Sequence, residues 1–278
     1  MLKRFAILVV AVATVSAAWG QVSIALEGSA PNSPDARSMQ AFWHAPMRRA
    51  GVAPLVSNGT AQSYNWSGYA VTGTGFTDAK GSWTVPAVNC AVSPNAWAMF
   101  WVGLDGYSDS TVEQTGTGVW CDRKTPVYYA WYEFYPNPSQ VISSMTVTPG
   151  DTMSAEVSYA SSEFTVTLTD ETTGASYTTT QAVAGAGRSS AEWIAEAPEA
   201  VTGILNLADF GKVHFGDDYT SVTGTNQATD STVSGVIKKF GTAVEKITQV
   251  DDTNFKEASP SALSTDGSSF TSNWIEYN

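Results

Sequence analysis

Histidine, cysteine and positive charge are all scarce in this chain. Its 278 residues include two histidines, two cysteines and 14 Lys and Arg against 26 Asp and Glu. One of the histidines, His44, falls in a segment read below as preceding the folded body, which leaves His214 as the single imidazole there. Neither an HExxH pattern nor a GxSxG elbow occurs, so most imidazole-based hydrolysis is excluded. A pepsin-type aspartic peptidase is disfavoured as well. Asp105-Gly106 and Asp266-Gly267 both lack the Thr or Ser that would stand between Asp and Gly. The net charge of −12 repels phosphate backbones, which argues against a nucleic-acid partner. Charged residues make up only 14% of the chain, against the usual quarter or so.

What is plentiful is Thr, Ser, Gly and aromatic residues, the composition of an exported β-protein. The chain opens with Lys3 and Arg4, an apolar run from Phe5 to Val15, and small residues Ser16, Ala17 and Ala18. That run is too short for the ~20 residues a bilayer crossing needs, and its flanks match a secretory signal peptide. Residues 1–20 are therefore expected to be removed, and the mature protein to be extracellular with no membrane association. Export makes a Cys90–Cys121 disulfide the expected state, with two buried thiols as the alternative. Closing a loop of about 30 residues is worth roughly 3 to 4 kcal/mol on the chain-entropy account.

Residues 21–61 carry scattered prolines and no sustained periodicity, and read as a pro-segment ahead of a single domain at 62–278. Five of the 14 basic residues (Lys3, Arg4, Arg37, Arg48, Arg49) precede Gln62, but only two of the 26 acidic ones (Glu27, Asp35) do. The asymmetry suggests a basic segment that rests on the acidic body at neutral pH and loosens in acid; an unstructured spacer is the alternative. Asn58-Gly59-Thr60 and Asn65-Trp66-Ser67 also match glycosylation acceptors.

Beyond Tyr64, short strands alternate with turn residues. Ser82 to Val85 stops at Pro86, and Val127 to Tyr135 stops at Pro136. Phe164 to Thr169 alternates apolar and polar residues, then meets a turn at Asp170 to Gly174 and a second Thr-rich run, a hairpin pattern. Helical periodicity is weak, with at best a turn or two around Ser234 to Lys246. Many strands without intervening helices imply a β-sandwich or barrel.

Three segments concentrate aromatic and acidic residues. They are Phe100-Trp101-Val102-Gly103-Leu104-Asp105-Gly106 followed by Glu113-Gln114-Thr115-Gly116; Ala130-Trp131-Tyr132-Glu133-Phe134-Tyr135-Pro136; and Ala191-Glu192-Trp193-Ile194-Ala195-Glu196. Strand alternation puts Trp131, Glu133 and Tyr135 on one face, and Glu192, Ile194 and Glu196 on one face. Taken singly, each aromatic is more simply a core residue. Periodicity does not choose between Glu192 and Glu196, and it singles out nothing about Gln114.

In their order, and together with Asn65-Trp66-Ser67-Gly68-Tyr69 and Thr84-Val85-Pro86, these segments resemble the eqolisins, the glutamic peptidase family. The resemblance runs from about Asn65 to the C-terminus. It implies two packed, curved antiparallel sheets in an all-β sandwich of concanavalin or jelly-roll type, an acid-active endopeptidase and no metal or cofactor. It also implies a catalytic pair of Gln114 and Glu196, with Trp101, Asp105, Trp131 and Glu133 contributing to substrate binding. The expected partners are protein or peptide substrates, and the expected state is a monomer.

The chemistry is consistent with that pair. A glutamate of ordinary pKa, about 4.3, can accept a proton from water and return it to a leaving amine in acid. A glutamine amide donates to a developing oxyanion at any pH because it does not titrate. The rival reading is a carbohydrate-binding, lectin-like sandwich without proteolytic activity, in which exposed Trp and Tyr rings stack on sugars. A glycosidase pairing Glu133 with Glu196 is a third.

Overall fold

Thr-rich, aromatic-rich runs with a period of two leave little choice but strands, because such side chains pack well on a pleated surface and lose rotamer freedom in a helix. The computed structural model describes residues 42–50 and 59–276. The leader at 1–20, most of the 21–61 segment and the acceptor at Asn58 lie outside the described residues. No helix among the described residues is long and apolar enough to cross a membrane.

The strands in chain order are β1 (Phe42–Trp43), β2 (Thr60–Ser63), β3 (Trp66–Thr72), β4 (Asp78–Thr84), β5 (Trp97–Leu104), β6 (Val112–Asp122) and β7 (Thr125–Tyr135). They continue with β8 (Gln140–Val141), β9 (Thr152–Ala160), β10 (Glu163–Asp170), β11 (Ala175–Gln181), β12 (Ser190–Glu196), β13 (Glu199–Ala200) and β14 (Gly203–Ile204). The last are β15 (Lys212–Phe215), β16 (Gln227–Thr229), β17 (Ser234–Val236), β18 (Val244–Val250), β19 (Lys256–Pro260) and β20 (Phe270–Trp274). Among the described residues, helix is confined to the single turn α1 (Asp217–Thr220) and a 3-10 stretch at Ile237–Ala243, the second inside the region where the sequence allowed a turn or two.

Two antiparallel layers result. The front sheet runs β7-β6-β5-β12-β3-β18, and the back sheet runs β11-β10-β9-β4-β15-β20-β19. Pairing of β18 with β19 joins the layers along one edge, and β2 adds to β18 in parallel. Strands β5 and β6 lie over β4 and β9, so the inner faces meet. Trp83, Phe100, Val102, Phe134, Met153, Val157, Phe164, Leu168 and Trp193 fill the space between. Each such side chain contributes about 1.5–3 kcal/mol by leaving water. The two indoles between the sheets have bonded N–H groups: Trp83 Nε1 donates to Thr117 Oγ1 at 2.9 Å and Trp193 Nε1 to the Lys80 carbonyl at 2.8 Å.

The predicted hairpin is β10–β11. Phe164, Val166 and Leu168 of β10 are buried on its core face, and its outer face carries directly opposed hydroxyls, Thr165 with Thr180, Thr167 with Thr178 and Thr169 with Ser176, at 2.9–3.0 Å. Cys90 and Cys121 are bonded, tying the loop after β4 to the end of β6.

The front sheet is unusual in being buried on both faces: every residue of β5 and of β12 is buried. Its second face carries a separate aromatic cluster of Trp66, Met99, Trp101, Tyr129, Trp131 and Ile194. That face accommodates indoles because β6 contributes Gly116 opposite Trp101. A Cβ at 116 would stand 2.2 Å from the Phe100 carbonyl oxygen and 2.7 Å from Trp101 Cβ, both closer than atoms can approach. Gly116→Ala is therefore expected to destabilise the protein by about 1–3 kcal/mol, the usual cost of overpacking. The check is a denaturant midpoint against wild type; an unchanged midpoint would contradict the close approach.

Candidate active site

Four adjacent strands bring the sequence's candidate residues onto the second face of the front sheet. Glu133 on β7 lies directly opposite Gln114 on β6, and Gln114 opposite Gly103 on β5. Two residues along β5, Trp101 pairs with Ile194 of β12, and Glu196 follows two positions later. Gly103 leaves room for two neighbours, since a Cβ there would stand 2.9 Å from the Trp101 ring and 3.1 Å from Gln114 Cβ. Trp101, Gln114, Trp131, Glu133 and Glu196 thus share one face, and all are buried.

The polar atoms are densely connected. Trp101 Nε1 donates to Glu196 Oε2 at 2.8 Å, and Asn65 Nδ2 approaches Glu196 Oε1 at 3.5 Å. Gln114 Nε2 donates to Glu133 Oε2 at 3.1 Å and to the His44 carbonyl oxygen at 2.7 Å. A carbonyl can only accept, so the contact to His44 fixes which end of the Gln114 amide points there. His44 N donates in turn to Glu133 Oε2 at 2.9 Å. The His44 ring stacks on Trp131 with centroids 3.6 Å apart and planes 12° from parallel, and its Nδ1 lies 3.5 Å from Glu196 Oε2. Gln114 and Glu196 therefore converge on one residue, His44, of the segment before β2.

Residues 64–257 match the Peptidase A4 family. The chain belongs to that family. This eqolisin is 32% identical over 209 residues to aspergillopepsin-2 from Aspergillus niger, covering 66% of this chain and 74% of that protein. It is 34% identical over 112 residues to scytalidopepsin B from Scytalidium lignicola, covering 40% of this chain and 41% of that one. Its fold matches a crystal structure of scytalido-glutamic peptidase with a transition state analog inhibitor, at a TM-score of 0.62 and 23% identity, over 76% of this chain and 98% of that one. The fold is thus the expected sandwich, and the protein is a glutamic peptidase.

Not every residue read from the eqolisin pattern joins the cluster. Asp105 sits past the end of β5 at φ 71°, fully buried, and its carboxylate accepts the Arg188 N–H at 2.8 Å and the Ser189 N–H at 2.6 Å. It braces a loop instead of facing Gln114. Two residues that periodicity did not single out do join. Asn65 accepts the Arg48 N–H at 2.7 Å and the Ser63 hydroxyl at 2.9 Å while facing Glu196, and Trp66 packs edge-on against Trp101 with centroids 5.0 Å apart. Asn65 is completely buried, which overturns its reading as a glycosylation acceptor. His44, assigned above to a segment ahead of the body, is the peptide residue in the cleft.

Burial dominates the electrostatics. It raises the Glu196 carboxyl well above its ordinary value, against the opposing hydrogen bonds of Trp101, Trp66 and Asn65. The ordinary carboxyl expected from the sequence is thus not what the occupied cleft holds. Glu133 is raised too, first by burial and then by the nearby Glu196, despite its bonds from His44 and Gln114. Burial lowers the His44 imidazole to about 3. Although Nδ1 and Glu196 stand close enough for an ion pair, both are driven towards neutrality, so the contact is one of uncharged groups.

A second set of acids lies farther along the same sheet, at its Asp105 end. Burial raises Glu113 to about 10, reinforced by the charges of Asp105 and Asp109, and raises Asp105 to about 7. Glu192, fully buried, is raised by burial and by Asp105, Asp109 and Glu113. Such groups hold protons in the folded state that the unfolded chain would release. The stability they allow is complete below the ordinary carboxyl range near 4 and is lost as pH rises through 7 towards 10, at up to ~1.4 kcal/mol per pH unit for each group. Thermal unfolding is expected to show a midpoint that falls between pH 4 and pH 8, and Glu113→Gln to flatten that fall. A midpoint rising with pH would contradict the assignment.

Proposed function

We propose that this peptidase cleaves internal peptide bonds in acid, with Glu196 as general base and then acid and Gln114 as oxyanion donor. The observation that carries the reading is the seating of a peptide carbonyl on the Gln114 amide, His44 O at 2.7 Å, while the Glu196 carboxyl approaches the same residue. A scissile carbonyl in that position would accept the Gln114 N–H as its oxygen gains charge, in surroundings where such a bond is strong because solvent is excluded.

Glu196, ionised once water enters the cleft, takes a proton from that water as its oxygen adds to the carbonyl carbon. The indoles of Trp101 and Trp66 and the amide of Asn65 favour that ionised form. The electron pair displaced from the carbonyl is met by Gln114. Glu196 then passes its proton to the amide nitrogen, the C–N bond breaks, and a carboxylic acid and an amine leave. No covalent intermediate with the protein forms.

Glu133 holds the Gln114 amide on one side and takes a backbone N–H of the bound peptide, so we assign it to substrate binding together with Trp101 and the stacking ring of Trp131. Peptides are the expected substrates, because the bonds to the segment in the cleft involve main-chain atoms that every peptide possesses. The signal-like leader supports action outside the cell. The sugar-stacking rival gives no role to a Gln114 amide and a Glu196 carboxyl that meet one peptide residue.

The test is digestion of an unfolded reporter protein at pH 3 and pH 7 after acid exposure of the full chain. Wild type is expected to digest at pH 3 and hardly at pH 7. Gln114→Ala should lose about 100- to 1,000-fold in kcat, the usual cost of one oxyanion donor. Glu196→Gln, which keeps the shape and removes the base, should lose at least ~100-fold. Undiminished digestion by both variants would remove the mechanism, and none by wild type would return the sugar-binding reading.

A further inference from the structure

Gln114, Gly116 and Gly118 alternate along one face of β6, so below the Gln114 amide two successive levels of that strand carry no side chain. Gly116 lies between Trp101 of β5 and Trp131 of β7, and Gly118 between Met99 of β5 and Tyr129 of β7. Met99 is in turn opposite Glu196 of β12. Glu196 and Tyr129 thus stand on one rung of the sheet, with Met99 and Gly118 between them.

The two glycine levels are not alike. A Cβ at 116 would first meet the Phe100 carbonyl oxygen and the Cβ and Cα of Trp101, all on β5, so the Trp131 ring leaves that level open. The His44 imidazole lies beside it, stacked on Trp131 with centroids 3.6 Å apart and with Nδ1 3.5 Å from Glu196 Oε2. A Cβ at 118 would instead stand 2.6 Å from Tyr129 Cζ, 2.8 Å from its hydroxyl oxygen and 2.6 Å from Met99 Sδ. The phenol therefore lies across Gly118 and fills the second level. Its hydroxyl donates to Met99 Sδ at 3.3 Å, a weak acceptor, so packing holds the ring more than that bond does. Burial, and then the Glu196 charge, raise the hydroxyl well above its ordinary range, and it stays neutral throughout acid conditions.

We propose that Tyr129 is a specificity-determining residue of this peptidase: its ring ends the side-chain pocket that opens over Gly116 between Trp101 and Trp131. A substrate residue beside the scissile bond is accepted there up to about the size of an imidazole, and Phe, Tyr and Trp are turned away. The proposal rests on the assignment of Gln114 and Glu196 as the catalytic pair. Discrimination comes from a clash built against the larger partner. The ring has little room to retreat, because Met99 beyond its hydroxyl is itself completely buried. Removing the phenol would join the Gly118 level to the Gly116 level and lengthen the pocket by the space of one ring.

The experiment digests one unfolded reporter protein at pH 3 with the full chain, after acid exposure, as wild type, Tyr129→Phe, Tyr129→Leu and Tyr129→Ala. The cut bonds are read by mass spectrometry, and the thermal midpoint of each form is measured alongside. Wild type is expected to cut beside small and medium side chains. Tyr129→Phe keeps the ring and should cut the same bonds at the same relative rates. Tyr129→Ala, and to a smaller extent Tyr129→Leu, should cut beside Phe, Tyr and Trp at least ~10-fold faster relative to small side chains, since even one methylene in a pocket is worth about 10- to 200-fold. The change should be confined to one of the two positions flanking the bond. Unchanged preference in both Tyr129→Ala and Tyr129→Leu would overturn the proposal. So would a shift in Tyr129→Phe equal to that in Tyr129→Ala, which would give the role to the hydroxyl. Loss of all cutting by Tyr129→Ala and Tyr129→Leu would overturn it as well, by placing Tyr129 in the chemistry if their midpoints match wild type, or in the fold alone if both unfold. Failure of wild type to cut any bond would instead overturn the catalytic assignment, and the proposal with it.

Discussion

Burial of the front sheet on both faces governs nearly everything distinctive about this molecule. One face packs against the back sheet, and the other lies beneath indoles and the 44–50 segment, so a carboxylate on either face meets protein where a surface residue would meet water. The cost of charging such groups is what raises Glu113, Glu133, Glu192 and Glu196 together. An all-β sandwich with an ordinary solvated face would leave the same residues close to their ordinary values. The raised carboxyls thus originate in the architecture.

Much of this architecture was legible in the sequence, and the legible part shares one cause. Where a strand has one apolar and one polar face, the period of two is written in its side chains, as in Phe164 to Thr169, where the structure has β10. The same alternation put Trp131, Glu133 and Tyr135 together. It failed to choose Glu196 over Glu192 because the two share a face four residues apart and are equally buried. Distinguishing them requires knowing what lies across the strand: Trp101 and Asn65 approach the first, and the buried acids near Asp105 approach the second. Gln114 was readable only through the resemblance of the ordered segments to the eqolisins.

The segment around His44 was the hardest to read. It looked like a spacer because prolines interrupt it and its side chains have no period. A strand that lies in a cleft by its main chain has no need of one, since successive N–H and C=O groups make the contacts whatever side chains they carry. Asn65 escaped notice for a related reason: its value lies in a carboxamide that bonds Arg48, Ser63 and Glu196 at once, which no local pattern announces. Asp105 differs again: an acid in an aromatic stretch, it accepts the Arg188 and Ser189 N–H groups of a neighbouring loop.

The opposed hydroxyls along β10 and β11 have a consequence for how the back sheet responds to pH. Each rung joins neutral partners that neither gain nor lose a proton anywhere in the range where carboxylates change state. The neighbouring strands of that layer behave differently: Lys80 of β4 meets Glu156 of β9 at 3.3 Å, and burial raises the Asp78 carboxyl to about 7. Souring of the medium therefore slackens the β4–β9 seam and leaves the hairpin's rungs as they are.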